Sequence, residues 1–131
     1  MDTRLIQAAQ KARANAYAPY SVYRVGAAIL GADGQIYTGC NVENVSYGLT
    51  ICAERTAIAN MVLAGCQEIK EVAVATEDGG TPCGMCRQTL TEFAPDPTKV
   101  WILSVNEAGE TEIFRLSELC PMPFKSDIKK K

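Results

Sequence analysis

Two stretches of this sequence decide its fold: Cys52-Ala53-Glu54 and Pro82-Cys83-Gly84-Met85-Cys86. Zinc binds thiolates well, and a catalytic zinc site keeps three protein ligands where a structural site is closed by four. Because the chain contains no histidine, a three-ligand zinc site here must consist of cysteines alone. Glu54 follows the first cysteine by two positions, where a carboxylate can move protons instead of binding the metal. The two stretches therefore predict a catalytic zinc site.

The residues around these cysteines predict a helix that begins at each stretch. One helix is expected over residues 52–64, with Thr50 as its N-cap and Gly65 at its end. Another is expected over residues 82–93, with Thr81 as its N-cap and proline at its first position. The positive end of a helix dipole lowers the pKa of a thiol and favours the thiolate. Two such helix starts that face one another would direct three sulfurs at one ion.

The remaining sequence predicts five strands and two further helices. Asp33-Gly34 is a strong short hairpin signal, and it connects the first two strands. The further helices are expected over residues 2–16 and 116–119, and the strands over residues 26–30, 35–42, 71–76, 100–105 and 111–114. Strands that alternate with helices after an opening hairpin indicate an α/β fold. We expect a three-layer α/β/α sandwich with a mixed sheet of about five strands.

Length and composition are typical of a small enzyme. The 131 residues predict one domain over 1–131, with about 122–131 as a C-terminal tail rich in lysine. The net charge is −2, and the lysines of the tail leave the rest of the chain more acidic, which disfavours binding to nucleic acid. The sequence shows no export signal and no apolar run of membrane-spanning length, so we expect a cytoplasmic protein with reduced cysteines.

Two other interpretations of the cysteines remain open at this point. A Cys-x-x-Cys pair such as Cys83 and Cys86 can be a redox pair, although Cys52 and Glu54 would then have no role. A structural zinc site would need a fourth ligand, which Cys40, Cys66 or Cys120 could supply. Each of those three is better explained as a small buried apolar residue, because free cysteine is among the most buried residue types.

Four segments in order resemble the short, homotetrameric cytidine deaminase family over nearly the whole chain. They are Tyr20-Ser21-Val22-Tyr23-Arg24-Val25-Gly26-Ala27-Ala28, Gly39-Cys40-Asn41-Val42-Glu43-Asn44, Cys52-Ala53-Glu54-Arg55-Thr56-Ala57 and Pro82-Cys83-Gly84-Met85-Cys86-Arg87-Gln88. Zinc deaminases share the pattern of a first ligand followed by x-Glu and a later Pro-Cys-x-x-Cys. The resemblance implies that Cys52, Cys83 and Cys86 bind zinc and that Glu54 shuttles protons.

The resemblance also implies the residues that contact the substrate. Asn41 and Glu43 would hold the ribose, and an extended segment over residues 35–44 would place both side chains on one face. Tyr23 stands where the family usually has a phenylalanine that packs on the pyrimidine, and Arg24 stands where proline is common. Phe124 resembles the C-terminal phenylalanine that stacks on the base in a neighbouring subunit. Tyr47 is likewise expected to reach a neighbour's site.

Arg55 is expected to offset the charge of the site. Three thiolates around zinc make a weak Lewis acid, and a guanidinium that hydrogen-bonds to the sulfurs withdraws negative charge from them.

The expected function is zinc-dependent hydrolytic deamination of cytidine and deoxycytidine to uridine and deoxyuridine, a reaction of pyrimidine salvage. The expected partners are a nucleoside substrate and further copies of this chain in a homotetramer with shared active sites, and neither nucleic acid nor a membrane. Two alternatives remain: a deaminase of a cytosine-nucleoside antibiotic, and a non-catalytic binding module with structural zinc.

Overall fold

Five strands form one mixed sheet in the computed structural model, which describes residues 2–126. Their order across the sheet is β2-β1-β3-β4-β5, where β3 and β4 are parallel and every other neighbouring pair is antiparallel. The strands are β1 Gly26–Gly31, β2 Ile36–Cys40, β3 Ile69–Ala75, β4 Trp101–Val105 and β5 Thr111–Arg115. The predicted mixed sheet of five strands is therefore confirmed.

Helices cover both faces of this sheet, which gives the three layers that the sequence predicts. Helix α1 packs on one face against alternate residues of the strands, such as Ala28 and Leu103. Helices α2 and α3 pack on the other face, where Ile29 and Val72 lie in the larger core cluster. The helices are α1 Thr3–Arg13, α2 Ala53–Leu63, α3 Gly84–Glu92 and α4 Leu116–Leu119, with single 3-10 turns at Tyr47–Leu49 and Pro97–Lys99.

Helix α1 is shorter than the predicted residues 2–16. Asp2 is its N-cap, and the Asp2 carboxylate accepts a hydrogen bond from the backbone N–H of Arg4 at 2.9 Å. The helix ends at Arg13 because the chain then turns to pair with the segment after β2: the N–H of Tyr17 donates to the carbonyl of Asn41 at 3.0 Å. A long-range pairing of this kind leaves no local signal in the sequence.

Two glycines allow the helices to approach the sheet closely. A Cβ on Gly26 would lie 2.1 Å from the carbonyl oxygen of Ala9 in α1. A Cβ on Gly39 would lie 2.4 Å from the backbone nitrogen of Ala57 in α2. Any larger residue at either position would force the helix away from the sheet. The contact at Gly39 in particular holds the start of α2 beside the end of β2.

No helix within residues 2–126 is long and apolar enough to cross a membrane. The predicted tail, residues 122–131, lies only partly within the described chain. Its described portion returns to α3 after α4, as shown below.

Candidate zinc and active site

Three cysteine sulfurs converge at the N-termini of α2 and α3. Cys52 is the N-cap residue of α2, Cys83 is the N-cap residue of α3, and Cys86 lies in the first turn of α3. The Sγ atoms of Cys52 and Cys83 are 3.9 Å apart, and those of Cys83 and Cys86 are 3.5 Å apart. All three sulfurs lie within 4.8 Å of one another. The structure thus brings together the three predicted metal ligands.

The predicted helix caps were wrong in detail. The sequence placed N-caps at Thr50 and Thr81, but the helices begin later, and the cysteines themselves occupy the two N-cap positions. Neither cysteine makes a side-chain capping hydrogen bond. A ligand sulfur at an N-cap lies beside free backbone N–H groups. These groups form the positive end of the helix dipole, which stabilises a thiolate. The cysteines thus lie closer to the helix N-termini than the predicted caps would place them, where the dipole favours thiolates most.

The sulfur spacing fits zinc. A Zn–S bond of about 2.3 Å in a tetrahedron separates two sulfurs by about 3.8 Å, close to the distances found here. Among the described residues, this is the one cluster of three histidine, cysteine or acidic side chains that could hold a metal ion. Cys86 is buried and Cys83 is exposed, so one side of the cluster opens towards solvent. Three ligands with an open side correspond to a catalytic site, not a closed structural one.

Charge at the cluster is divided unevenly among the thiols. A hydrogen bond from Cys86, aided by nearby Arg55, lowers the pKa of Cys52 to about 5. The same interaction raises the pKa of the Cys86 thiol, since Cys86 holds the shared proton. Metal binding requires all three thiols to be deprotonated, so zinc must displace that proton.

Arg55 lies against the ligand sulfurs, as the sequence led us to expect. Its Nη2 donates to Cys52 Sγ at 3.8 Å and to the carbonyl of Thr50 at 3.2 Å. Its Nε is buried and has no hydrogen-bond partner in the described structure. The neighbouring Cys52 raises the pKa of the guanidinium, which therefore supplies a permanent positive charge beside the thiolates.

Glu54 is buried next to the same cluster. Its side chain is 4% exposed, and it lies in the first turn of α2, two residues from Cys52. Burial raises the pKa of the carboxyl to about 7, and the negative charge of Cys52 adds to this increase. Burying a carboxyl this completely costs free energy. Its position beside the thiols indicates a chemical role.

Asn41 and Glu43 both bind the segment that precedes β1. The amide of Asn41 accepts from the N–H of Val25 at 2.9 Å and donates to the carbonyl of Tyr23 at 2.8 Å. The carboxylate of Glu43 accepts from the N–H groups of Tyr20 and Ser21 at 3.0 and 3.1 Å, and from the hydroxyl of Ser21.

The predicted strand over residues 35–42 is slightly too long, since β2 spans Ile36–Cys40. Val42 nevertheless pairs with Tyr17 on one side and Ile51 on the other, so the chain stays extended and Asn41 and Glu43 share a side. After these bonds, Asn41 keeps a second amide N–H, and Glu43 Oε2 keeps further acceptor capacity. The pair is rigidly held and can still bind a hydroxyl.

Tyr47 and Phe124 are exposed aromatic residues outside the cysteine cluster. Tyr47 packs edge-on against Tyr20, and both line a cavity of about 390 Å³ that also contains Glu43. Phe124 is 79% exposed. Its backbone is fixed by Gln88 on α3, whose amide accepts from the N–H of Phe124 at 2.9 Å and donates to its carbonyl at 3.2 Å. The chain thus holds an aromatic ring out towards solvent.

The cytidine and deoxycytidylate deaminase zinc-binding region matches residues 1–103 of the chain. The chain belongs to this deaminase family. It is 42% identical to the cytidine deaminase of Sporosarcina psychrophila over 95% of this chain and 91% of that protein. It is 43% identical to the cytidine deaminase of Halalkalibacterium halodurans over 94% of this chain and 93% of that protein.

Solved structures agree with this family membership. The crystal structure of cytidine deaminase from Burkholderia pseudomallei superposes with a TM-score of 0.87 at 43% identity, covering 95% of this chain and all of that one. The structure of cytidine deaminase from Mycobacterium tuberculosis gives a TM-score of 0.81 at 39% identity, over 94% of this chain and 96% of that one. The deaminase fold and the zinc-binding region are therefore both present in this chain.

Sequence reasoning missed two residues that shape the site. Ser21 was noticed only as part of a segment, although its hydroxyl binds Glu43. Asp78 has no role in the sequence analysis, although it accepts the hydroxyl of Tyr23 at 2.6 Å. The first contact spans 22 positions of the sequence and the second spans 55 positions. No local sequence pattern predicts contacts of such long range.

Replacing a ligand tests the metal site. We expect the parent protein to hold one zinc per chain, and Cys86→Ala to weaken zinc binding by more than the roughly 10–100-fold that follows loss of an outer contact. Metal analysis after dialysis against a weak chelator measures this. Cys120→Ala is the matched control, since Cys120 lies outside the cluster. Equal zinc contents in the two variants would contradict the assignment.

Proposed function

We propose that this protein is a zinc-dependent cytidine deaminase that converts cytidine and deoxycytidine to uridine and deoxyuridine with release of ammonia. The observation that carries this proposal is the buried carboxyl of Glu54 beside three cysteines that can hold zinc. Membership in the deaminase family supplies the class of reaction. The product would enter pyrimidine salvage.

Glu54 would carry the protons of the reaction. When zinc is bound, it supplies a Lewis acid that lowers the pKa of a water molecule. The Glu54 carboxylate accepts a proton from the attacking water, whose oxygen adds to C4 of the ring, and delivers that proton to N3. It then takes the second water proton and passes it to the exocyclic amino group, which leaves as ammonia. One carboxyl thus acts as base and acid in turn.

Arg55 would keep the site acidic enough for this chemistry. Zinc with three thiolates carries a net negative charge, which reduces its power as a Lewis acid. The guanidinium donates to Cys52 Sγ at 3.8 Å and so draws negative charge away from the metal ligands. Its buried Nε has capacity for one more contact of the same kind.

The sugar would bind at Asn41 and Glu43, and the base at Tyr23. An amide and a carboxylate side by side match the donor and acceptor needs of a ribose hydroxyl. Free cytosine would leave the Glu43 carboxylate without that partner. A phosphate would meet the negative charge of Glu43, which disfavours a nucleotide.

We further propose a homotetramer in which active sites are shared between subunits. Phe124 and Met122 are 79% and 91% exposed, and Tyr47 is 75% exposed, which is unusual for apolar side chains on a fixed backbone. Phe124 would stack on the base in a neighbouring site, and Tyr47 would approach a neighbour in the same way. A second chain would bury these side chains.

We also propose that residues 1–131 act as a single domain and that the protein works in the cytoplasm, where six free cysteines stay reduced.

Two alternative functions would be distinguished by direct assays. A module with structural zinc would give no reason for a buried Glu54, and it would release no ammonia from cytidine. A deaminase of a cytosine-nucleoside antibiotic would prefer that compound to cytidine in a substrate panel. The pairing of Asn41 with Glu43 favours the simple nucleoside.

Glu54→Gln separates chemistry from metal binding. The amide keeps the size of the side chain but cannot carry a proton, so we expect kcat to fall by at least about 10²–10⁴-fold while zinc content stays the same. Ammonia release and metal analysis measure the two quantities. Glu112→Gln on exposed β5 is the matched control and should keep full activity. Near-parent turnover in Glu54→Gln would refute the shuttle role.

The substrate class is tested by comparing cytidine with CMP. We expect kcat/KM for cytidine to exceed that for CMP by about fivefold or more, because an unfavourable charge contact costs at least about 1 kcal/mol. Arg24 is exposed near the pocket segment and is the residue that could instead pair with a 5′-phosphate. A ratio near one that changes on Arg24→Ala would make the enzyme a nucleotide deaminase.

Phe124→Ala tests the shared site. Loss of a stacked aromatic ring removes about 0.5–1.5 kcal/mol beyond its buried area, so we expect KM for cytidine to rise and the oligomer to loosen. Steady-state kinetics and light scattering at several protein concentrations measure both effects. A parent protein that is fully active as a monomer would overturn the proposal.

A further inference from the structure

Tyr23 is held by all three of its polar groups. Its backbone N–H donates to the hydroxyl of Ser21 at 3.0 Å, and its carbonyl accepts from the amide of Asn41 at 2.8 Å. Its phenolic O–H donates to Asp78 Oδ1 at 2.6 Å. The backbone of Tyr23 therefore belongs to the proposed sugar-binding segment, while its side chain reaches a different loop.

The loop that receives the hydroxyl leads directly to a metal ligand. It runs from Thr76, after the end of β3, to Cys83 at the start of α3. Asp78 Oδ1 also accepts from the N–H of Gly80 at 3.3 Å, and the hydroxyl of Thr76 accepts from Gly79 and Gly80 at 2.7 and 2.9 Å. The carboxylate is thus fixed by its own loop before Tyr23 binds to it.

The same loop leaves space for the hydroxyl. A Cβ on Gly80 would lie 3.1 Å from the Oη atom of Tyr23, tighter than ordinary van der Waals contact. A side chain at position 80 would therefore press on the phenol. Glycine at position 80 therefore leaves room for the hydroxyl of Tyr23.

We propose that Asp78 is a positioning residue that holds the Tyr23 ring in place at the substrate pocket through the Tyr23 hydroxyl. This inference rests on the proposed function in one respect, the contact between the Tyr23 ring and the pyrimidine. The pair joins the segment that carries Asn41 and Glu43 contacts to the loop that ends in Cys83. A phenylalanine at position 23 would have no hydroxyl and could not make this link.

The link predicts an effect on substrate binding and not on the chemical step. Neither Asp78 nor the Tyr23 hydroxyl is assigned a contact with the reacting atoms. A ring fixed before the substrate arrives lowers the ordering cost of binding, which appears in KM. A hydrogen bond to a charged carboxylate is strong enough for this purpose even at a partly exposed site.

Kinetics of the zinc-loaded, full-length enzyme test the proposal. Tyr23→Phe keeps the ring and removes the hydroxyl, and Asp78→Ala removes the acceptor. We expect each to raise KM for cytidine by roughly three- to tenfold, the size of one hydrogen bond, with kcat and zinc content unchanged. Asp78→Asn keeps an acceptor oxygen and should recover most of the parent KM. The double variant should be no worse than either single variant, since both remove the same contact.

A control and a second measurement separate the pair from other causes. Glu77→Ala removes the adjacent exposed carboxylate and should leave KM unchanged. Hydrogen exchange at the backbone amide of Tyr23 should quicken in Asp78→Ala, because the residue loses its anchor on the loop, and this test needs no substrate. An inactive parent enzyme would refute the proposed function. The exchange rates would still test the Tyr23–Asp78 hydrogen bond in that case. Unchanged KM in Asp78→Ala, single effects that multiply in the double variant, or unchanged exchange would each overturn the proposal.

Discussion

Repulsion among three thiolates is the constraint on which the rest of the structure depends. The sulfurs of Cys52, Cys83 and Cys86 lie within 4.8 Å of one another, at a distance where like charges repel strongly in a partly buried site. Two helix N-termini and the Arg55 guanidinium oppose that repulsion, as a zinc ion held by the three sulfurs would. The repulsion among the thiolates is offset only if α2 and α3 begin next to one another. The fold must therefore bring together two helix starts that are distant in the sequence.

The sheet provides that placement. Helices α2 and α3 pack on the same face, and Gly39 lets α2 approach the sheet closely enough to hold Cys52 beside the end of β2. The residues proposed to bind the sugar follow the same strand end. Asn41 and Glu43 come directly after β2, and both bind the backbone of the segment before β1. The cysteine cluster and the residues proposed to bind the sugar therefore share one rigid framework, which is what a preorganised site requires.

The sequence predicts the composition of the site better than its connections. The zinc ligands follow from cysteine spacing and the absence of histidine, and the sheet follows from the Asp33-Gly34 turn and the alternation of strands with helices. The helix caps were wrong because Thr50 and Thr81 are good capping residues by local preference, whereas cysteines occupy the actual N-caps and make no side-chain capping bond. The Tyr23 to Asp78 bond spans 55 positions and depends on tertiary placement alone. Such long-range contacts become visible only in the folded chain.

The central claim is that this cluster holds the zinc on which deamination depends. Stepwise return of zinc to the metal-free parent protein tests this most directly, with cytidine deamination followed at each addition. The account predicts that activity is absent without metal, rises in proportion to bound zinc and levels off at one zinc per chain. Full activity in the metal-free protein, or zinc binding to the same cysteines without any deamination, would contradict it.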